Sequence, residues 1–275
     1  MKILWKSNRG KFFESVCVPF KKKGIYTICL SSQAGCFLGC KICETAKCRY
    51  GKNIDLTVEE LVEEAIKTKK IADRKFTKLK FDEISFMGMG EPFLNLDNII
   101  KTVDKLTSKG YNVSISTVGI LPALKKFARH KFKKYPRLQI SVHKFDGREK
   151  IIPIDRKYPI KNVLKIALRY SIKHSFPLTL NWVLLKGVND SKKDAKRLGD
   201  LFDPKNCRIN VTDYVGDKFD NVPEKEKEKF IGWIKKASKR KYSKAIEVNS
   251  FKVLGTEIKA GCGQLVGKDK EILSK

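Results

Sequence analysis

Short apolar strands alternating with amphipathic helices predict an α/β fold for this chain: a partial (βα)6 barrel with a short amino-terminal β-hairpin extension. Three observations carry that expectation. The apolar runs after residue 24 have strand length and are separated by segments of helical period. Helix-start and helix-stop residues stand at the junctions. No run approaches the ~20 uncharged apolar residues that span a bilayer. Regular alternation favours parallel strands covered by helices, and six such units make an open, TIM-like barrel.

The first ~30 residues read as extended structure around a turn at Lys21-Lys22-Lys23-Gly24. Ile25 to Leu30 is a short apolar strand. Thr57-Val58-Glu59-Glu60 is a capping box that opens a helix to about Ile71. Phe81 to Met87 is a strand, Asp97 caps the next helix, and Gly110 ends it. Tyr111 to Ser116 is a strand, followed by a helix near Leu121 to Arg129. Leu138 to Val142, Leu178 to Leu185 and Cys207 to Val211 continue the series, separated by helices near Ile160 to His174 and Ser191 to Phe202. Pro223 starts a last helix to about Lys239, and Ala245 to Val253 is the final strand. In such folds the site lies at the carboxyl ends of the strands.

Of 275 residues, 41% are hydrophobic, enough for a full core. The start of the chain has no secretory pattern, so a soluble, cytoplasmic protein is expected. Lys and Arg number 59 against 30 Asp and Glu, a net charge of +29. A surplus that large on a chain this short points to a polyanionic partner, with nucleic acid first. The basic runs at 21–23, 125–134 (with Phe127 and Phe132 interleaved) and 235–244 each read singly as solvated faces.

Five of the eight cysteines fall between positions 29 and 48, a density that points to metal. Cys36-Phe-Leu-Gly-Cys40-Lys-Ile-Cys43 follows directly after a strand. Three thiolates on one tight loop can each take one iron of a 4Fe-4S cubane and leave the fourth iron without a protein ligand. That vacancy suits S-adenosylmethionine (SAM), whose methionine amine and carboxylate chelate an open iron. Structural zinc is the rival reading, with Cys48 as a fourth ligand. Zinc sites, however, usually pair two separated Cys-x-x-Cys units, and no second pair exists here. One βα unit later, Met87-Gly88-Met89-Gly90-Glu91-Pro92 ends a strand with glycines that permit close backbone approach and a carboxylate that can accept from an ammonium group.

Three stretches go beyond this general chemistry: Cys29-Leu-Ser-Ser-Gln-Ala-Gly-Cys36, the Met87–Pro92 turn and Ala260-Gly-Cys-Gly-Gln-Leu265. They resemble the radical SAM adenosine methyltransferases RlmN and Cfr, which methylate adenine carbons in RNA. The resemblance runs on through Ile115-Ser-Thr-Val-Gly119, Ile140-Ser-Val-His143, Ile151-Ile-Pro-Ile154 and Gly187-Val-Asn-Asp190, and so covers nearly the whole chain. It implies a barrel of the radical SAM type in a single domain, with residues 1–24 as the β extension and 25–275 as the barrel and a carboxyl-terminal catalytic segment. It also implies two SAM molecules per turnover and an electron donor such as flavodoxin or ferredoxin. The implied substrate is RNA, large-subunit ribosomal RNA first and tRNA second, with carbon 2 of adenine ahead of carbon 8. The enzyme is expected to act as a monomer.

Residue by residue, Cys262 matches the cysteine that is methylated first and delivers its carbon to adenine. Cys29 matches the second cysteine, which helps remove the ring proton and releases the product through a transient disulfide with Cys262. Glu14 matches a glutamate near the substrate adenine. Gly90, Glu91, Ser116, Ser141, Val142 and His143 match SAM-contacting positions. Without the resemblance, Cys29 and Cys262 read as small buried hydrophobes, as Cys17, Cys48 and Cys207 do.

Three departures stand out. The resemblance begins almost at Met1, without the family's helical amino-terminal RNA-binding domain. The family's Ile-Pro-Trp-Asn run after Asn210, whose asparagine contacts SAM, is replaced by Val-Thr-Asp213-Tyr-Val215. The family's Ser-Thr-Ser-Gly is here Ser116-Thr-Val118-Gly. Two other readings stay open at this level: a radical SAM enzyme acting on a different substrate, and a zinc-containing RNA-binding module without catalysis.

Overall fold

The computed structural model describes residues 1–47, 54–251, 253–261 and 263–266. Cys48 and Cys262 lie outside the described residues. The chain divides into two compact units. One comprises Met1–Thr117, Arg129–Pro136 and the segment from Leu254; the other comprises Val118–Ala128 and Arg137–Val253.

The first unit opens with an antiparallel meander of β1 (Lys2–Lys6), β2 (Phe12–Phe20) and β3 (Ile25–Leu30). Lys21–Lys23 form a single 3-10 turn, closed by Gly24 at φ 66°, a left-handed conformation that glycine adopts without penalty. A two-stranded ribbon, β4 (Gln33–Ala34) with β5 (Ile54–Asp55), follows. Helix α1 (Val58–Lys75) starts as expected: the Thr57 hydroxyl accepts from Glu60 N–H while the Glu60 carboxylate accepts from Thr57 N–H. Strands β6 (Lys80–Phe86) and β7 (Val113–Thr117) extend the sheet parallel to β3, with α2 (Leu96–Ser108) between them.

In the second unit, α3 (Leu121–Arg129) precedes β8 (Arg137–Ser141), α4 (Ile160–Lys173), β9 (Leu178–Leu184), α5 (Lys192–Leu201), β10 (Cys207–Asp213), α6 (Glu224–Tyr242) and β11 (Glu247–Phe251). Its four strands are all parallel and pair in sequence order. Each alternates. Leu178, Leu180, Trp182 and Leu184 of β9 and Ile209 and Val211 of β10 are buried against helices, with Trp182 against Phe230 of α6. The residues between them (Asn181, Val183, Arg208, Asn210, Thr212) are half-buried. The α/β class with parallel strands and an amino-terminal β extension is therefore the one expected.

Some boundaries differ. Asp97 does not cap α2; the cap position is Asn95, and Asp97 sits in the first turn, where a carboxylate favours the positive end of the helix dipole. The Asn95 amide is instead committed to the carbonyls of Ser32 and Leu56, which ties α2 to the loop after β3. The last strand is shorter than its apolar run, and α1 and α6 run about a turn further. Phe127 and Phe132, interleaved in a basic run, are core residues rather than exposed rings. Among the described residues no helix is long and apolar enough to cross a membrane.

Candidate active site

The cysteine loop leaves the carboxyl end of β3. Ser32 and Gln33 donate their N–H groups to Met89 O, so the loop runs against the Met87–Pro92 turn at the end of β6. The glycines there have steric reasons. A Cβ on Gly88 would lie 2.7 Å from Leu30 O, and one on Gly90 (φ +92°) would lie 2.6 Å from Gln33 Cβ. Glu91 is buried. Its Oε1 accepts from the Thr117 hydroxyl at the end of β7 and from Phe93 N–H, while Glu91 N–H donates to Gln33 Oε1. Ser116, one residue before Thr117, is buried on β7. Gly90, Glu91 and Ser116 thus sit at adjacent strand ends, beside the cysteine loop.

Cys36, Cys40 and Cys43 are half-buried. Gly39, left-handed at φ 67°, turns the chain between the first two, and Cys43 N–H closes onto Cys40 O. Burial pushes the Cys36 thiol up to about 12; the Leu38 N–H opposes this, and Cys43 and Glu91 stand near enough to add to it. Cys43 is raised for the same reason, with the Thr45 hydroxyl and the backbone N–H groups of Thr45 and Ala46 opposing. Sulfurs short of water yet met by N–H donors are ill served as bare thiolates and well served as ligands of a positively charged metal centre. Among the described residues no three His, Cys, Asp or Glu side chains gather tightly enough for a single metal ion. A cubane takes its thiolates on separate irons. The donor set fits that group better than one zinc ion.

The carboxyl-terminal segment lies on this loop. Glu44 N–H donates to Gly263 O at 2.7 Å, and the Thr45 hydroxyl to Leu265 O at 2.6 Å. A Cβ on Gly263 would come within 3.0 Å of Ile42 O. The residues flanking position 262 are therefore in contact with the stretch that carries Cys43. Glu14 on β2 is fully buried. Lys2 Nζ lies 2.9 Å from Oε1, and Val266 N–H donates to Oε2 at 3.0 Å. Cys29 is half-buried on β3, in register with Val16 of β2 and Ser85 of β6. Cys17 and Cys207 are buried, with thiols pushed up by burial to about 11 and about 12. That is the inert setting expected of them.

Ser141 ends β8 in the second unit, and Val142 and His143 follow it. His143 is buried, with a left-handed backbone (φ 55°). Its Nδ1 accepts from Val183 N–H at 2.9 Å, so the ring proton sits on Nε2. Burial, with Arg148 adding to it, holds its pKa down at about 3, which leaves a neutral Nε2–H donor at physiological pH. Two residues not singled out from the sequence shape this turn. Asn189 donates to the carbonyls of His143 and Val183. Fully buried Arg148 donates to the carbonyls of Ser141, Val142 and Val118 and pairs with Asp155 at 2.6 Å. The signal for Asn189 was present in Gly187-Val-Asn-Asp190. Arg148 carried none, because the carbonyls it collects lie at irregular spacings, six, seven and 30 residues away, that no local motif marks.

Comparisons with known proteins identify the family and the fold. The Radical SAM superfamily model matches residues 30–198. A probable dual-specificity RNA methyltransferase RlmN of Chlorobium phaeovibrioides is 33% identical over 287 residues, covering all of this chain and 74% of that protein. The chain belongs to the RlmN family of radical SAM methyltransferases. An RlmN of Heliobacterium modesticaldum is 31% identical, over 98% of this chain and 71% of that protein. A crystal structure of a radical SAM methyltransferase from Sphaerobacter thermophilus superimposes with a TM-score of 0.83 at 26% identity, covering 97% of this chain and 77% of that one. The RlmN-type chain is accordingly a SAM-dependent enzyme with the radical SAM fold.

One buried carboxyl in this unit yields a stability prediction. Glu64 of α1 accepts from Ser31 N–H through Oε1, while Oε2 is buried without a hydrogen-bond partner. Burial raises its pKa well above the usual range. The neutral form is the one the fold tolerates, so its contribution is complete below the unfolded pKa and is lost as pH rises through the folded one. Glu64→Gln removes that loss. The variant should match the wild type near pH 4 and exceed it by about 1–3 kcal/mol at pH 8, measured by denaturant unfolding at both pH values. An equal difference at both would refute the buried-charge account.

Proposed function

We propose that this enzyme methylates an adenine ring carbon in RNA, carbon 2 ahead of carbon 8, through an S-methylcysteine at Cys262. Large-subunit ribosomal RNA is the first substrate and tRNA the second, and the reaction takes place in the cytoplasm. The observation that carries this reading is the seating of the 263–266 segment on the Cys36–Cys43 loop, in a chain whose RlmN relatives are named as RNA methyltransferases.

Cys36, Cys40 and Cys43 would hold a 4Fe-4S cluster, which supplies the electron that cleaves SAM into a 5′-deoxyadenosyl radical. Gly90, Glu91 and Ser116, with Ser141, Val142 and His143, are the SAM-contacting positions. The His143 Nε2–H offers a fixed donor, and the missing Cβ of Gly90 lets its turn pack against Gln33 beside the cysteine loop. Cys262 takes up a methyl group as a thioether and presents it to the base. The 5′-deoxyadenosyl radical would take a hydrogen from that S-methyl group, and the methylene carbon would add to the ring carbon. Loss of the ring proton, with the help of Cys29, and of one electron to the donor system would restore the aromatic ring. Cys29 would then attack the Cys262 sulfur, so that the S–CH2 bond breaks as the disulfide forms and the released carbon takes up the proton to become the methyl group of the product. Glu14 is the family position near the substrate adenine. The chemistry has a reason: the amidine carbons of adenine are electrophilic, and a SAM methyl group, itself an electrophile, cannot be transferred to them by simple displacement.

The positive charge supports a polyanionic substrate. Lys21, Lys22, Lys23, Lys125, Lys126, Lys235, Lys236 and Lys239 are all exposed. The test is mass spectrometry of nucleosides from ribosomal RNA and tRNA incubated anaerobically with reconstituted enzyme, SAM and a flavodoxin reducing system. Methyladenosine modified on a ring carbon is expected. Methyl groups on ribose or on exocyclic nitrogen, or none in either RNA, would overturn the reading.

A further inference from the structure

Parallel sheets are usually buried on both faces, and their strands read as near-continuous apolar runs. The β8–β11 sheet departs from this, since the face opposite its helices is lined with amides. Asn181 Nδ2 donates to Gln139 Oε1 at 3.2 Å, Asn210 Nδ2 to Asn181 Oδ1 at 3.1 Å, and Asn249 Nδ2 to Asn210 Oδ1 at 3.3 Å. Asn181, Asn210 and Asn249 stand opposite one another in register on β9, β10 and β11, and all three are half-buried. Arg208, on the same face, donates to the Thr179 hydroxyl.

The direction of this ladder is not arbitrary. Asn249 Nδ2 also donates to Glu247 Oε1 at 2.9 Å. A carboxylate offers only acceptors, so Asn249 must turn its nitrogen toward it. Asn249 therefore meets Asn210 as a donor, Asn210 presents its oxygen to Asn249 and its nitrogen to Asn181, and the order passes on to Gln139. Glu247 sets the polarity of the whole row.

A primary amide has two N–H donors and two oxygen lone pairs. The ladder uses one of each on Asn210. One N–H and one lone pair are left, side by side, in an orientation the amide cannot reverse without breaking both neighbours. A donor beside an acceptor is the complement of adenine, which shows an N6–H donor next to a ring-nitrogen acceptor; Asn and Gln read adenine in this bidentate way. Guanine and hypoxanthine show an oxygen there instead, and a freely rotating amide would adapt to them by flipping. A locked one cannot.

The geometry points to Asn210 as an adenine-reading residue held in one orientation by the Asn181–Asn210–Asn249–Glu247 ladder. The inference rests on the methyltransferase reading for its ligands. Adenine occurs both in SAM and in the target nucleotide, and the experiment separates the two sources.

Isothermal titration of the anaerobically purified enzyme would use S-adenosylhomocysteine against S-inosylhomocysteine in one arm. The other arm would use a short oligoribonucleotide with a single adenosine against the same strand with inosine. A preference for adenine of about tenfold to a hundredfold is expected in one arm, and that arm names the source. Asn210→Leu should abolish the preference. Glu247→Gln alters an exposed side chain that touches no ligand, and it should weaken the preference several-fold by unlocking the ladder, with unchanged thermal stability. Equal affinities in both arms for the wild type, or a preference intact in both variants, would overturn the proposal. Because no turnover is measured, a failure to methylate RNA would leave this result standing on its own.

Discussion

Cys40→Ala protein, reconstituted anaerobically with iron and sulfide, should form no 5′-deoxyadenosine above background, and Cys36→Ala and Cys43→Ala should behave alike. The three thiols share one loop, each assigned its own corner of a cubane, and a cluster short of a thiolate is labile. Changes to outer-shell partners of metal ligands typically cost about 10–100-fold, and loss of a ligand should exceed that. The visible charge-transfer absorbance should fall together with 5′-deoxyadenosine formation. Cys17→Ala and Cys207→Ala, at buried positions with raised thiol pKa values, should keep both. Retained cluster and normal SAM cleavage in Cys40→Ala would defeat the assignment. Zinc bound tightly after iron reconstitution would favour the non-catalytic alternative.

The second large effect separates Cys262 from Cys29. Cys262→Ala removes the sulfur that carries carbon, so RNA methylation should drop to nothing and no methylated protein should be recovered. Cys29→Ala should still take up the methyl group and still join it to adenine. Lacking the group that resolves the bridge, it should accumulate as a covalent protein–RNA adduct, visible as a nuclease-sensitive shift on a denaturing gel. The two sulfurs must come within disulfide reach at some point in the cycle, with Cα atoms roughly 4.4–6.8 Å apart when bonded. Cys29 on β3 and the residues flanking position 262 belong to the same compact unit, which suits that requirement. A Cys29→Ala enzyme that turns over freely without adduct would refute the division of labour.

Much of the fold was legible because it is written locally. Strand-length apolar runs and the Thr57–Glu60 capping box are signals within a few residues, and each stands where expected. The cysteine triplet was legible for the same reason. What was missed depends on cross-strand register or on distant partners. Asn95 displaced Asp97 at the cap of α2 because its amide is claimed by Ser32 and Leu56 carbonyls, neither of which a helix-start rule considers. The β4–β5 ribbon is two residues per strand, too short for any periodicity. The amide ladder joins residues one βα unit apart, aligned only once the strands have paired.

The bond from Val266 to Glu14 joins residues 252 positions apart, and this bears on the order in which the protein is assembled. Closing so long a loop is entropically dear, though the cost grows only as the logarithm of length. More to the point, the contact cannot form until nearly the whole chain has been synthesised, whereas the β1–β3 meander and the cysteine loop can form from the first fifth of it. For most of translation, then, the cysteine loop stands without the cover that Gly263, Leu265 and Val266 later provide. A loop uncovered in this way is accessible from solvent in the unfinished chain.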